Sequence, residues 1–123
     1  MRLLITGLLL TAPLFAHHSF ASTYLMDQRT KIEGTLVEFS PRNPHSFVQV
    51  AAPDPQTGAM ATWVIEWRSA QRLARQGVNN DTLKPGDHVV IVGNPGRTAG
   101  ENRLHMLGIS RPADGWKYGQ AVY

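Results

Sequence analysis

The stretch Met60–Gly77, MATWVIEWRSAQRLARQG, changes its apolar period halfway along. From Met60 to Arg68 the large side chains fall on alternate positions: Trp63, Ile65 and Trp67 share one face, and Thr62, Val64 and Glu66 share the other. A period of two marks a half-buried β-strand. After Arg68 the period lengthens. Ser69 is a good helix N-cap, Ala70, Leu73 and Ala74 form an apolar stripe, and Gly77 supplies the stop. A strand that runs straight into a short helix therefore occupies the middle of the chain.

Two strand-like segments precede it. Lys31–Ser40, KIEGTLVEFS, places Thr35, Val37 and Phe39 on one parity that suits a core face, with Glu33 and Glu38 exposed. Gly34 inside that strand predicts a bulge or a tight bend. His45–Ala52, HSFVQVAA, is the second strand. Pro53–Gly58, PDPQTG, has turn chemistry at nearly every position and reads as a hairpin connection. After the helix, Leu83-Lys84-Pro85-Gly86-Asp87 leads into a fourth strand, His88–Gly93, and a Gly-rich loop leads into a fifth, Asn102–Ser110.

The order is strand, strand, strand, helix, strand, strand. That is the order of a five-stranded OB-like barrel, an all-β fold with one short helix between strands three and four. Closure removes exposed strand edges. The rival is an open sheet with the helix across one face.

The 123 residues suit one domain with one modest core, and leave little room for a large catalytic cleft. The net charge of +3 includes Arg2, at the very start of the chain. A balance this mild does not argue for nucleic acid, which needs clustered Lys and Arg. Arg68, Arg72 and Arg75 read as a solvated helix face. There are no cysteines, so thiol catalysis, iron–sulfur clusters and Cys-based zinc sites are excluded. Any metal must be held by His, Asp, Glu, Met or backbone. The chain carries no Gly-rich phosphate loop, nucleophile elbow, HExxH or acidic calcium loop.

Met1-Arg2, then an apolar run from Leu3 through Ala12, then Pro13 has the pattern of a signal peptide. The expected layout is a signal peptide over 1–16, an extended arm over 17–30, the barrel over 31–111 and a tail over 112–123. The tail holds Trp116, Tyr118 and Tyr123 and can pack back on the barrel. The expected location is across the inner membrane, in the periplasm of a Gram-negative host. Two cleavage sites compete. A cut after Ala16 frees His17, although Leu14 fits the small-residue rule poorly. A cut after Ala21 fits the rule with Ser19 and Ala21, and discards both His17 and His18. A cut after Phe15 keeps the pair one residue in.

The sequences AHHSFAS after the leader, GTLVEFSPRNPHSFVQV, WVIEW and LKPGD, followed by a short final strand, resemble domain-of-unknown-function family 6152, a family of small exported bacterial proteins. The resemblance spans roughly residues 16–111, and its most specific elements are His17-His18 and Asn43-Pro44-His45. It implies an exported OB-like barrel without an established activity.

Two histidines at a mature N-terminus have a definite chemistry. The amine and the ring of His17 can chelate one metal together, and a second imidazole, from His18 or His45, completes three nitrogens. Tetragonal nitrogen ligation favours Cu(II), which tops the divalent series. The amine must lose its proton to bind, and its ordinary pKa is roughly 7.7–8.0. Pro44 stiffens the loop before His45, and Asn43 can support it by a hydrogen bond. Glu66, on the face opposite the tryptophans, can supply a carboxylate ligand or hold a histidine by its other nitrogen. A solvated carboxylate is the plainer reading. Trp63 and Trp67 read as core, and His88 and His105 as partly buried structural histidines.

Three functions are consistent with this. The first is a non-enzymatic periplasmic binding protein, with copper as its cofactor. The second is a metal-free OB-type adaptor for a protein or small ligand, using the Pro41–Pro44 loop and the tail aromatics. The third, a copper-dependent redox enzyme, has the least cleft to support it.

Overall fold

The structure, a computed structural model, describes residues 20–120. A helical turn α1 (Phe20–Thr23) is followed by strands β1 (Thr30–Ser40), β2 (Ser46–Pro53) and β3 (Met60–Trp67). The short helix α2 (Ala70–Arg75) comes next, then β4 (His88–Pro95), β5 (Arg103–Arg111) and β6 (Trp116–Gly119). The sheet order is β3-β2-β1-β4-β5-β6, and β3 also pairs with β5. That last pairing is parallel, with Val64 opposite Arg103, Ile65 opposite Leu104 and Glu66 opposite His105. It closes β1 to β5 into a five-stranded barrel with the helix between β3 and β4, as the sequence order predicts.

The barrel closes because β1 serves two neighbours. Its first half, Thr30–Thr35, pairs with β4, and its second half, Thr35–Ser40, pairs with β2. At the changeover, a side chain on Gly34 would run into the Ala51 carbonyl and come within 2.8 Å of the Ala52 Cβ, so only glycine fits this crossing. The expected core face of β1 needs correction. Ile32 and Leu36 are buried, Thr35 is exposed, and Val37 is 45% exposed. The register slips between Leu36 and Glu38, so Val37 is the extra residue of a bulge. The bulge resets the parity and returns Phe39 to the edge of the core.

Trp63, Ile65 and Trp67 are buried, as their alternation predicts. Ser69 Oγ accepts from the Arg72 amide at 3.2 Å and caps α2, which buries one residue, Leu73, in the core. Burying each large apolar side chain contributes roughly 1.5–3 kcal/mol, so the two tryptophans and Leu73 tie β3 and α2 to one core.

The segment before β1 is not the extended arm its polarity suggests. Tyr24 N–H closes the α1 turn on Phe20 O at 2.7 Å, Leu25 N–H donates to Pro95 O, and Arg97 N–H donates to Thr23 O. These bonds clip the arm to the β4–β5 loop and carry Phe20 back across the β3–β5 seam. In the tail, β6 pairs with Gly108–Arg111 of β5, on the edge that β3 leaves beyond His105. Tyr118 packs edge-on against Trp67 with ring centroids 4.9 Å apart. Tyr123 lies outside the described residues. Among the described residues, no helix is long and apolar enough to cross a membrane.

Candidate functional site

Barrel closure sets four polar side chains side by side. Glu66 on β3 is the register partner of His105 on β5, and His105 is the partner of Asn94 on β4. On the other flank, His45 immediately precedes β2, whose Phe47 lies opposite Glu66. Directly paired residues stand about 4.5–5.5 Å apart, so the row Glu66–His105–Asn94 follows from strand order, and His45 joins it diagonally, two residues before the Glu66 partner Phe47. The loop that carries His45 is fixed to α2: Ala70 N–H donates to Arg42 O at 2.7 Å, and Gln71 N–H donates to Asn43 Oδ1 at 3.2 Å. The Asn43–Pro44 peptide is cis.

Glu66 is the hub. Its Oε1 lies 2.5 Å from His45 Nδ1, and its Oε2 accepts from the Tyr24 hydroxyl. Arg103 Nε–H donates to the Tyr24 oxygen at 3.0 Å, and an Arg103 Nη stands 3.5 Å from Glu66 Oε2. Burial alone would raise the Glu66 pKa, but the hydrogen bonds from Tyr24 and His45 and the charge of Arg103 outweigh it and hold the carboxyl below its usual range. Burial, reinforced by Glu66, pushes the Tyr24 phenol well above its ordinary value, so it stays a neutral donor. An ionised carboxylate only accepts, so Nδ1 of His45 carries the proton in this pair.

His105 is held in a similar way. Asn94, 2% exposed, donates its amide to Gln28 O at 2.8 Å and Met26 O at 3.3 Å, which leaves its Oδ1 to accept from His105 Nδ1 at 3.1 Å. Burial lowers the His105 pKa, and nearby His45 and Arg68 act in the same direction against Glu66. The imidazole is therefore neutral near pH 7. Phe20 stacks on this ring at 4.2 Å, and its centroid is 5.4 Å from the His45 ring. Clefts open on both sides of Phe20. One of about 480 Å³ is lined by His105, and one of about 460 Å³ by Asn43, Pro44 and His45; Trp67, Arg68 and Arg72 line both.

Of the residues singled out in the sequence, His45 and Glu66 are brought into direct contact. Asn43 sits in the same loop but supports α2 rather than His45. His17, His18 and the Ala16 cleavage position lie outside the described residues. His88 is more exposed than a structural core histidine and pairs with Glu33 at 2.8 Å. Sequence reasoning missed Tyr24, Asn94, Arg103 and His105 as site residues: the β3–β5 pairing brings Arg103 and His105 to Glu66, the β4–β5 pairing sets Asn94 beside His105, and the returning arm delivers Tyr24. The one available signal was that Glu66 and His105 fall on the two strands whose pairing closes an OB barrel. Among the described residues, no group of three or more His, Asp or Glu side chains is arranged to hold a metal ion. The site offers paired imidazoles, a carboxylate behind one of them, and an aromatic cover.

No curated protein matches the chain. One family model does, described as a family of unknown function (DUF6152), over residues 7–105, a span that includes His17, His18, His45, Glu66 and His105. A match over most of the chain establishes membership, and this small β-barrel protein belongs to that family.

Proposed function

We propose that the protein is exported, to the periplasm in a Gram-negative host, and binds copper with ligands from its N-terminus and from His45. The observation that carries this reading is the return of the arm: the Phe20 ring lies 5.4 Å from the His45 ring. At about 3.8 Å per Cα step, His17 is tethered within roughly 11 Å of Phe20. A free His17 amine and ring, with the Nε2 of His45 as the further nitrogen, form a tetragonal set suited to Cu(II). Glu66 behind Nδ1 orients the His45 ring and strengthens it as a donor, as carboxylates do for metal-bound histidines. His18 is the alternative donor within the pair.

The test begins with the intact mass of the exported protein. A chain that starts at Ser22 removes the ligands and ends the reading. For a chain that starts at His17, Cu(II) titration followed by EPR should give one tight equivalent. His17→Ala and His45→Ala should each weaken it at least about tenfold, the low end for losing a supporting group. Unchanged affinity in His17→Ala overturns the amine–imidazole grip.

A second reading, a metal-free adaptor, is favoured by the clefts around Phe20. Arg68 and Arg72 line both, are exposed, and have no ion-pair partner among the described residues. With Pro44 and Trp67 they suit an anionic ligand or partner with an apolar part. Capture of a defined periplasmic partner with metal chelated, lost on changing Asn43–His45, supports this reading. Capture that needs copper counts against it.

A further inference from the structure

His45 and His105 share a feature that the N-terminal copper reading does not use. Each ring has its Nδ1 at a fixed acceptor, Glu66 Oε1 at 2.5 Å and Asn94 Oδ1 at 3.1 Å. Neither acceptor can readily turn away. Glu66 is held from its other oxygen by Tyr24 and Arg103, and Asn94 is buried with its amide donating to two backbone carbonyls. A carboxylate and an amide carbonyl both require the proton on Nδ1, so both rings are set in the tautomer whose Nε2 carries the lone pair. Neither Nε2 has a hydrogen-bond partner among the described residues.

The two rings also share a neighbour. Phe20 packs on both, so their centroids lie no farther apart than its two contact distances combined. It stacks on the face of His105, with 30° between the planes. An imidazole lone pair lies in the ring plane, so a stacked aromatic covers the face and leaves the nitrogen edge open. A nitrogen lone pair set by an oriented Nδ1–H is the usual arrangement of a metal-binding histidine. Here it occurs twice, on His45 just before β2 and on His105 in β5, the two strands that pair with the Glu66 strand.

We propose that His45 and His105 form a two-imidazole metal site through their Nε2 atoms. It takes a transition-metal ion that favours imidazole, Cu(II) most strongly. The site shares His45 with the centre proposed above but needs neither His17 nor His18, and it keeps its Phe20 cover after a cut at Phe15 or Ala16.

The experiment uses the mature protein with His17→Ala and His18→Ala together, and Cu(II) alone as the probe. Pulsed EPR should detect one bound Cu(II) with two imidazoles. Adding His105→Gln should leave one imidazole and weaken binding about tenfold or more. A double variant that retains no Cu(II), or an unchanged spectrum and affinity after His105→Gln, overturns the site. Should His105→Gln fail to fold, long-range 1H–15N spectra of the unsubstituted, metal-free protein decide. Both rings must show the Nδ1–H tautomer, and on adding Cu(II) both Nε2 signals must broaden first. An Nε2–H tautomer at either ring overturns the proposal. The N-terminal reading fails separately, when His17→Ala leaves Cu(II) binding to the otherwise unsubstituted protein unchanged.

Discussion

The Tyr24 hydroxyl donates to the Glu66 carboxylate, and this one bond joins the N-terminal arm to the barrel seam 42 residues away in sequence. Tyr24 is fully buried, and its oxygen also accepts from Arg103. Tyr24→Phe keeps the ring and removes both interactions, leaving a half-buried carboxylate one donor short. Hydrogen bonds to charged groups contribute about 1.5–3 kcal/mol. The variant should lose stability in that range, read as a lower urea midpoint with an unchanged slope. Because this bond adds to the backbone bonds that clip the arm, amide exchange at residues 20–25 should quicken as well. A loss under about 0.5 kcal/mol, the scatter of an ordinary surface substitution, would show that the arm is held elsewhere.

Glu66 makes the seam sensitive to acid. Its folded pKa lies below the ordinary value because Tyr24, His45 and Arg103 favour the charged form despite burial. A depressed carboxylate pKa contributes stability that is fully present above the unfolded pKa, about 4.3 for Glu. That contribution is lost as pH falls from there through the lower folded value. Glu66→Gln should therefore cost stability at pH 7 and show a flatter decline between about pH 4.3 and pH 3 than the parent. Urea midpoints at pH 7, 5 and 3 measure this. A parallel decline in both proteins would assign the acid sensitivity to other carboxylates.

What the sequence reveals of this fold depends on which residues carry the signal. Trp63, Ile65 and Trp67 obey a simple alternation because β3 is regular, and the cap at Ser69 and stop at Gly77 are local chemistry. Simple alternation fails in β1 because its bulge at Val37 is set by barrel curvature, which no window of neighbours encodes. The site was legible in part for a related reason. The loop that presents His45 is local, and so is the face on which Glu66 stands. Their contact, and the arrival of His105, Asn94 and Tyr24 around them, come from pairings between residues 11 to 42 positions apart.

The bulge makes a sharp pair of variants. Leu36 is 1% exposed and Val37 45% exposed, although they are adjacent. Leu36→Ala should cost about 2–5 kcal/mol by cavity formation, while Val37→Ala should stay within about 0.5 kcal/mol. A regular strand that buries Val37, as its parity with Thr35 and Phe39 suggests, would reverse the order. Denaturant unfolding of the two proteins decides between them.

Arg111 holds the tail to the barrel by three kinds of contact. Its guanidinium donates to Asp87 at 2.9 Å and Asp114 at 2.8 Å, and to the Thr82 carbonyl at 2.6 Å. It also lies 5.5 Å from the Trp116 ring. Its side chain is 19% exposed, so these contacts are screened less than a surface pair. Arg111→Lys keeps a charge but cannot reach three acceptors in the planar fork that arginine provides. Both Arg111→Lys and Arg111→Ala should release β6, with faster amide exchange at Trp116–Tyr118, and Arg111→Ala should cost more overall. The core strands should keep their protection, because β6 adds to a barrel already closed by β3 and β5. Loss of protection across β4 and β5 together would mean instead that the tail is part of the barrel's cooperative unit.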